Sequence, residues 1–416
     1  MRILLLTQHF PPDPGPQSRR WGVLASHFAA RGHTVDVVVP RWLSPEEANR
    51  TSAPHMPGVT VHPVRSFVRG IRLQRRIVNE ALTAIGSAVT GWRVARSAPR
   101  PDVVIGTVPA LATLPIALLI GRGNAIPVVA EIRDAWPDIL RQWREWGDTG
   151  TSAEGGRQRT VVTAAMSLLV PIICQIYDAL ERSADHVITT TESLASVFQA
   201  RGMRVAAIRN TSFGLVPGPL SAPAKRRDGT LRVLYLGNVG RAQHLATAIR
   251  AAAIAQQRGV PVRLRIVGDG AEAEAMRGFS ERLGNPAEVI SRVPADDVAE
   301  QYEWADTVLV CLRDWTGMQW TVPSKLYEVL ASGRHVSASL RGEAARIITR
   351  THAGDVVAPE DPEALADLWA ELVEDRSRLA VGTEGVEWVA EHARAADLAE
   401  RYLELLDTLP ARGAHG

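Results

Sequence analysis

The segment Thr321–Gly333, TVPSKLYEVLASG, has residues whose types and spacing suit a phosphate attached to a ribose. Pro323 is typical of a helix start, and Ser324 and Lys325 follow in the first turn, where unpaired N–H groups favour an anion. Lys325 adds a cation that suits phosphate. Glu328 lies on nearly the same helix face, where it would repel phosphate but accept hydrogen bonds from sugar hydroxyls. The alternative is an ordinary buried helix, with its core face formed by Leu326, Tyr327, Leu330 and Ala331.

Composition predicts a globular protein without a strong bulk charge. The 416 residues have a hydrophobic share of 46% and a formal net charge of +2, which favours two or three domains and gives no indication of nucleic-acid binding. Cys174 and Cys311 lie far apart and match no zinc or thioredoxin spacing, so we expect a reducing, cytoplasmic setting. The start, MRILLLTQHFPP, predicts a buried strand rather than a signal peptide.

Short apolar strands alternate with helical stretches in both halves of the chain, which predicts parallel sheets covered on both faces. The predicted strands are Ile3–Leu6, Thr34–Val39, Val59–Pro63, Val103–Thr107, Val128–Glu131, His186–Thr190, Leu231–Leu236, Val262–Val267, Glu288–Ile290 and Thr307–Leu312. Residues 1–210 are expected to form one domain, 211–230 a linker and 231–395 a second domain. The helix in 396–416 is expected to pack back on the body. The segment Thr321–Gly333 is placed after the last strand of the second domain.

Several motifs in a fixed order resemble the retaining glycosyltransferases of family 4. The motifs are ILLLTQHFPPDPGPQSRR, AEIRDAWPDIL, VLYLGNVGRAQHL, RIVGDGAEAEAM, YEWAD and VPSKLYEVLASG. The resemblance implies an α/β protein with the GT-B fold, in which two Rossmann-like, doubly wound domains face each other across a cleft. The combination of EIRDAWP, GNVGRAQ and VPSKLYE is most similar to the branch that adds deoxy-amino or N-acetyl sugars to lipid-linked bacterial glycans.

The resemblance implies roles for residues of the second domain. Glu328 matches the second glutamate of a paired signature that holds the nucleotide ribose, whereas Trp320 stands where the first is expected. The pair Ser324 and Lys325 is then expected to serve the donor diphosphate. Arg241 occupies a phosphate-binding position, although the lysine that normally follows it is absent, and the alternative is a solvated surface arginine.

The same resemblance implies that loops after successive strands bind the donor. The implied donor-binding residues are Gly15, Asn238, Gly240, Gly268, Asp269, Arg292 and Val293. Backbone atoms around Arg292 and Val293 are expected to read the base. For Asp269 the alternative is a turn residue, and for the loop around Gly15 it is a simple proline-rich connection.

Charged residues end a buried strand at Glu131-Ile132-Arg133-Asp134. Strand alternation places Glu131 and Arg133 on one face and Asp134 on the other. Asp134 is the candidate for orienting the acceptor or stabilising positive charge on the sugar, with Glu131, Arg133 and Trp136 positioning the acceptor. The alternatives are an internal arginine–carboxylate pair and, for Trp136, a place in the local core.

When a nucleoside diphosphate leaves the sugar, negative charge builds on its phosphate. Fixed cations and N–H dipoles must stabilise this charge. Lys325, Arg241 and the N–H groups of Ser324 and Gly240 are the candidates. No spacing of carboxylates or histidines indicates a metal, and no cofactor is expected beyond the nucleotide-sugar substrate.

A basic and apolar stretch, SFVRGIRLQRRI, suits an anionic membrane surface or a lipid diphosphate. Its cations are Arg69, Arg72, Arg75 and Arg76. The uncharged stretch Val161–Tyr177 supports a first domain that touches the inner membrane face, whereas the alternative is a solvated helix with packed side-chain stems.

Three classes of function remain open. The first is a retaining transferase that uses a nucleotide sugar, expected to be a UDP-sugar, and a lipid-linked or small-molecule acceptor. The second is other chemistry on the same scaffold, such as a sugar-nucleotide epimerase or a phosphorylase. The third is a sugar-nucleotide binding protein without catalysis, which the incomplete glutamate signature makes conceivable.

Overall fold

Two parallel β-sheets organise the chain. The computed structural model describes residues 1–13, 15–41, 56–65, 73–109, 111–147, 160–212, 214–216, 218–221, 223 and 228–410. Contacts divide the chain into two units, unit 1 with Met1–Pro137, Ile172–Arg209 and Ala395–Gly416, and unit 2 with Asp138–Pro171 and Asn210–Arg394. Arg69 and Arg72 lie outside the described residues, as do the side chains of Arg75 and Arg76.

Unit 1 contains a seven-stranded parallel sheet of order β3-β2-β1-β4-β5-β6-β7. Its strands are β1 Arg2–Leu6, β2 Thr34–Arg41, β3 Val59–Arg65, β4 Val103–Val108, β5 Val128–Ile132, β6 His186–Thr189 and β7 Val205–Ala207. Every residue of β4 and β5 is buried, as expected for strands that helices cover on both faces. The strand order reverses between β1 and β4, which places a crevice at their carboxyl ends.

Unit 2 contains a six-stranded parallel sheet of order β10-β9-β8-β11-β12-β13. Its strands are β8 Leu231–Leu236, β9 Val262–Val267, β10 Ala287–Ile290, β11 Thr307–Cys311, β12 His335–Ser339 and β13 Gly354–Val357. Here the order reverses between β8 and β11, so the loops that follow these two strands border the ligand crevice of this unit.

Helices connect the strands of both units. The α-helices of the described residues are α1 Pro16–Ala30, α2 Leu73–Arg96, α3 Thr113–Gly123, α4 Thr160–Arg182, α5 Glu192–Ala200, α6 Ala246–Gln257, α7 Ala273–Arg282, α8 Val298–Trp304, α9 Thr316–Gln319, α10 Ser324–Ser332, α11 Glu343–Arg350, α12 Pro362–Glu374, α13 Glu384–His392 and α14 Ala395–Asp407. Among these described helices, none is long and apolar enough to cross a membrane.

The final helix, α14, belongs to unit 1 and lies against α1. The ring of Tyr402 packs edge-on against Trp21 at 5.8 Å between centroids and against Phe28 at 5.6 Å. All three rings are buried. The end of the chain therefore contributes to the core of the unit that contains its beginning.

The predicted strands are present in the structure within two residues of their predicted ends. The placement of Thr321–Gly333 after the last strand is wrong, because β12 and β13 follow it. Strand β12, HVSAS, lacks an apolar run, and its polar side chains are satisfied across the sheet instead. For example, the Thr307 hydroxyl lies 2.8 Å from the Ser337 hydroxyl and 2.9 Å from Nδ1 of His335.

Candidate functional site

Two glycine loops at the carboxyl edge of the unit 2 sheet pack directly on each other. A Cβ at Gly268, after β9, would lie 1.8 Å from the carbonyl oxygen of Gly237, after β8. A Cβ at Gly270 would lie 2.2 Å from the Val239 carbonyl oxygen. The Val239 amide also donates to the Asp269 carbonyl at 2.9 Å. Only glycine allows this approach, and the two loops together form one rigid edge of the crevice.

Lys325 lies in the first turn of α10, directly after Pro323, and its side chain reaches back to the first of these loops. Its Nζ is buried and has no hydrogen-bond partner among the described residues. The Nζ atom lies 3.3 Å from the centroid of the Tyr235 ring. A Cβ at Gly237 would lie 3.0 Å from the same Nζ, so the glycine also makes room for the amine.

The surroundings of Lys325 disfavour its charge. Burial lowers the pKa of Lys325 to about 7, and the nearby Cys311 opposes this effect only in part. Burial also raises the pKa of the Cys311 thiol to about 12. At neutral pH this thiol is therefore uncharged and cannot neutralise the lysine. A buried amine beside a neutral thiol and an aromatic ring is suited to receive an anionic ligand.

Glu328, one turn further along α10, is buried and held by the backbone. Its Oε2 accepts a hydrogen bond of 3.3 Å from the amide of Leu215. Burial and, second, the charge of Glu328 raise the pKa of the Tyr302 hydroxyl. The core face proposed as the alternative for this segment is also present, since Leu326, Tyr327 and Leu330 are buried. The helix therefore combines a core face with two ionisable side chains at its start.

The remaining donor-side candidates surround the same loops. Arg241 pairs with Glu272 through Nε at 3.0 Å, while about half of the arginine side chain stays exposed. The Asn238 carbonyl accepts the Tyr235 hydroxyl at 2.6 Å. A Cβ at Gly240 would lie 2.6 Å from Nδ2 of Asn238. Unit 2 thus brings Lys325, Arg241 and both glycine loops to one edge of the sheet.

The loop after β10 is held by weaker side-chain interactions than the two glycine loops. Arg292 and Asp269 form a 4.0 Å ion pair in which both side chains are more than half exposed. Such a pair contributes little to stability, because water screens it. Val293 is partly buried. The side chains of this loop are free to adjust to a ligand.

In unit 1, Glu131 is fully enclosed. Its Oε1 accepts from Nε of Arg20 at 2.9 Å, and its Oε2 accepts from the Tyr402 hydroxyl at 3.0 Å. Arg20 also donates to the carbonyls of Arg209 at 2.6 Å and Ile208 at 3.0 Å. The internal arginine–carboxylate pair left open by the sequence is therefore present, with Arg20 as the partner instead of Arg133. Because Glu131 has no exposed surface, it cannot touch an acceptor in this arrangement.

Arg133 and Asp134 are partly exposed at the carboxyl end of β5. Burial raises the pKa of the Asp134 carboxyl, and the charge of Arg133 opposes this shift. Burial likewise lowers the pKa of Arg133. The Arg133 carbonyl accepts the Thr190 hydroxyl at 2.9 Å, which ties the end of β5 to the end of β6. Trp136 follows and is partly buried.

Gly15 precedes α1 and has a φ of 125°, which side chains rarely adopt. No described atom lies within 4 Å of a Cβ built there, so space is open beside the helix start. Within the described residues, no group of three or more His, Cys, Asp or Glu could hold a metal ion.

Tyr235, Arg20 and Tyr402 were not identified from the sequence. Arg20 and Tyr402 lie 111 and 271 residues from Glu131, and no local pattern links positions so far apart. Tyr235 had a weak signal, since it is the single aromatic residue of β8, one position before the strand ends. Its importance follows only from the lysine that packs on its ring.

Comparisons with known sequences match two successive stretches of the chain. A sequence model described as "Glycosyltransferase Family 4" matches residues 17–210, and one described as "Glycosyl transferases group 1" matches residues 230–375. Among the curated proteins, no sequence matches the chain significantly.

Solved structures share the fold at low sequence identity. Sucrose-phosphate synthase from Thermosynechococcus elongatus has a TM-score of 0.72 and 16% identity, with 98% of each chain covered. HepE of Anabaena in complex with UDP-glucose has a TM-score of 0.66 and 15% identity, with 98% of this chain and 100% of that chain covered. WaaG, a glycosyltransferase involved in lipopolysaccharide biosynthesis, has a TM-score of 0.65, 16% identity and the same coverage. The chain thus contains one region that matches family 4 glycosyltransferases and a second that matches group 1 glycosyltransferases, and it has the GT-B fold of two Rossmann-like domains.

Proposed function

We propose that this glycosyltransferase moves a sugar from a UDP-sugar to an acceptor hydroxyl, with retention of anomeric configuration, in the assembly of a cell-surface glycan. One observation carries the donor assignment, namely the buried Nζ of Lys325 without a hydrogen-bond partner among the described residues, beside the glycine loop that follows β8. The UDP-glucose complex of HepE supports this class of donor. The similarity of EIRDAWP, GNVGRAQ and VPSKLYE to the amino-sugar branch supports an amino or N-acetyl hexose.

The chemistry assigned to the site is stabilisation of the leaving group. The bond between the anomeric carbon and the β-phosphate oxygen breaks, and the new bond forms to the acceptor oxygen. The acceptor proton passes to the departing phosphate. Lys325, Arg241 and the N–H groups of Ser324 and Gly240 meet the negative charge that builds on this phosphate. Asp134 orients the acceptor or stabilises positive charge on the sugar.

A nucleotide-sugar screen tests the proposal. Bound donor stabilises the native state in proportion to its affinity, so UDP-glucose or UDP-N-acetylglucosamine should raise the unfolding temperature. Release of UDP should then accelerate when a lipid-linked or small-molecule hydroxyl acceptor is added. A change in the donor sugar without transfer would identify an epimerase instead, and binding without turnover would identify a sugar-nucleotide binding protein.

Glu328 is proposed to accept hydrogen bonds from the ribose hydroxyls. We expect Glu328→Gln to weaken the free energy of donor binding by about 1.5–3 kcal/mol, the range for hydrogen bonds to charged groups, and so to raise the dissociation constant. The amide oxygen can still accept from Leu215, so the fold should persist. Isothermal titration with UDP measures the effect, and Glu363→Gln serves as the carboxylate control, because Glu363 on α12 pairs with Arg258 and has no assigned role in donor binding. An unchanged dissociation constant in Glu328→Gln would exclude the ribose role.

Unit 1 is proposed to contact an anionic membrane surface. On α2, Val78, Leu82, Ile85 and Val89 recur on one helix face and are between 45% and 60% exposed. The part of α4 that belongs to unit 1 also exposes Ile172 and Ile176. Exposed apolar helix faces are typical of helices that lie in a membrane interface. The four arginines proposed to bind the lipid headgroups precede this face in the sequence.

Vesicle flotation tests this contact. The wild-type protein should float with vesicles of phosphatidylethanolamine and phosphatidylglycerol. The double variant Leu82→Asp, Ile85→Asp should remain in solution, because it places charge on the apolar face. Leu283→Asp is the matched control, since Leu283 is an exposed leucine of unit 2. Equal flotation of the wild type and the double variant would contradict the proposed membrane contact.

A further inference from the structure

The surroundings of the Lys325 ammonium group are unusual for a phosphate-binding lysine. Its ammonium nitrogen faces the Tyr235 ring at 3.3 Å and is buried, although part of its side-chain stem is exposed. The negative face of an aromatic ring attracts a cation, but far less strongly than a diphosphate does. A diphosphate therefore offers the Lys325 amine a stronger interaction than the ring does.

The groups in contact with the Lys325 amine carry no negative charge at neutral pH. From β8, Tyr235 presents its ring, and burial keeps the pKa of its hydroxyl well above the usual value. From β11, Cys311 presents a thiol whose pKa burial raises to about 12. On its own helix, Glu328 lies one turn away and bonds the amide of Leu215. Burial thus dominates and lowers the pKa of Lys325 to about 7.

We propose that Tyr235 is a positioning residue whose ring holds the Lys325 amine when no donor is bound, and that the donor diphosphate moves the amine away from the ring with uptake of one proton. This inference rests on the proposed function, because it requires a nucleotide-sugar donor at Lys325. It adds to that function a link between donor binding and pH.

The sign of the pH dependence of donor binding follows from the protonation of the Lys325 amine with and without donor. In the empty protein the amine loses its proton as pH rises through about 7. In the complex the diphosphate favours the charged form, so the amine stays protonated to higher pH. Donor binding therefore takes up almost no proton at pH 5.5 and about one proton at pH 8.5. The dissociation constant should rise about tenfold per pH unit above pH 7.

Isothermal titration in two buffers of different ionisation enthalpy measures this uptake directly. UDP-glucose and UDP-N-acetylglucosamine are the probes, because a nucleotide-sugar diphosphate has no titrating group between pH 5 and 9. The expected result is uptake near one proton at pH 8.5 that disappears at pH 5.5. Binding without buffer dependence at pH 8.5 overturns the inference and leaves the proposed function intact. Absence of binding by both probes at every pH overturns the proposed donor and this inference together.

Three variants test whether Lys325 takes up the proton and whether the Tyr235 ring positions its amine. Lys325→Arg keeps a charge that does not titrate, so it should bind donor with no uptake at pH 8.5. Tyr235→Phe keeps the ring and loses only the bond to the Asn238 carbonyl, so uptake should remain near one proton. Tyr235→Leu removes the ring and lets the amine reach solvent, so uptake at pH 8.5 should fall toward zero.

The variants also show what would contradict each part of the inference. Undiminished uptake in Lys325→Arg would assign the proton to another group. Undiminished uptake in a folded Tyr235→Leu would show that the ring does not position the amine. If Tyr235→Leu fails to fold, loss of uptake in Tyr235→Phe overturns the role of the ring, whereas retention supports it.

Discussion

Replacing Lys325 by methionine is expected to lower kcat by about 10²- to 10³-fold at saturating donor, the usual effect of removing one preorganised group at a developing negative charge. In the proposed reaction the diphosphate gains charge as the sugar leaves, so an interaction with Lys325 would strengthen in the transition state and affect the rate as well as binding. Methionine has a similar length and is apolar, and it can occupy the space on the Tyr235 ring. Initial rates of UDP release with acceptor measure the change.

Stability provides the control for this variant. Because burial lowers the pKa of Lys325 to about 7, the charged amine destabilises the protein when no donor is bound. This destabilisation is complete below pH 7 and is absent above the ordinary pKa of a lysine side chain. The methionine variant should therefore unfold at the same or a higher temperature than wild type at pH 6, and the difference should vanish near pH 11. Normal turnover in this stable variant would show that Lys325 does not act on the leaving group.

Replacing Glu131 by alanine is expected to destabilise unit 1 by about 3–5 kcal/mol, the usual effect of breaking one side of a buried ion pair. The change leaves the Arg20 guanidinium, which is 2% exposed, without its carboxylate. It also leaves the Tyr402 hydroxyl without its acceptor, so α14 loses a polar contact with the sheet. Hydrogen–deuterium exchange of peptides from β1, β4 and β5 measures the opening free energy of unit 1 itself.

A double substitution tests whether the lost stability comes from the unpaired arginine or from the packing of the core. Arg20→Met with Glu131→Leu replaces both partners by apolar groups, and it should recover most of the lost stability. Glu131→Gln tests the expectation that this residue positions the acceptor. A variant with wild-type exchange rates and a raised acceptor KM would support that role, whereas wild-type kinetics would leave Glu131 as a structural residue. Unchanged exchange in Glu131→Ala would contradict the importance of the pair.

Local patterns were sufficient to predict most of the secondary structure and the fold. Buried parallel strands are short apolar runs bounded by turn residues, and each predicted run became a strand. The resemblance rests on the order of motifs, which is also a property of the sequence alone. Strands β7, β12 and β13 were not predicted. For β12 the reason is that a local pattern cannot show that polar side chains such as Ser337 and His335 are satisfied across a sheet.

The sequence by itself determined that this chain has two α/β domains of the GT-B type and a Ser324-Lys325 pair at a helix start. Only the tertiary structure decided the partners of the charged residues. Glu131 bonds Arg20 and Tyr402, and Lys325 lies on Tyr235 beside Cys311. The physical reason is that hydrophobic periodicity depends on near neighbours in the chain. The charge of a buried group depends on atoms that folding brings together from distant positions.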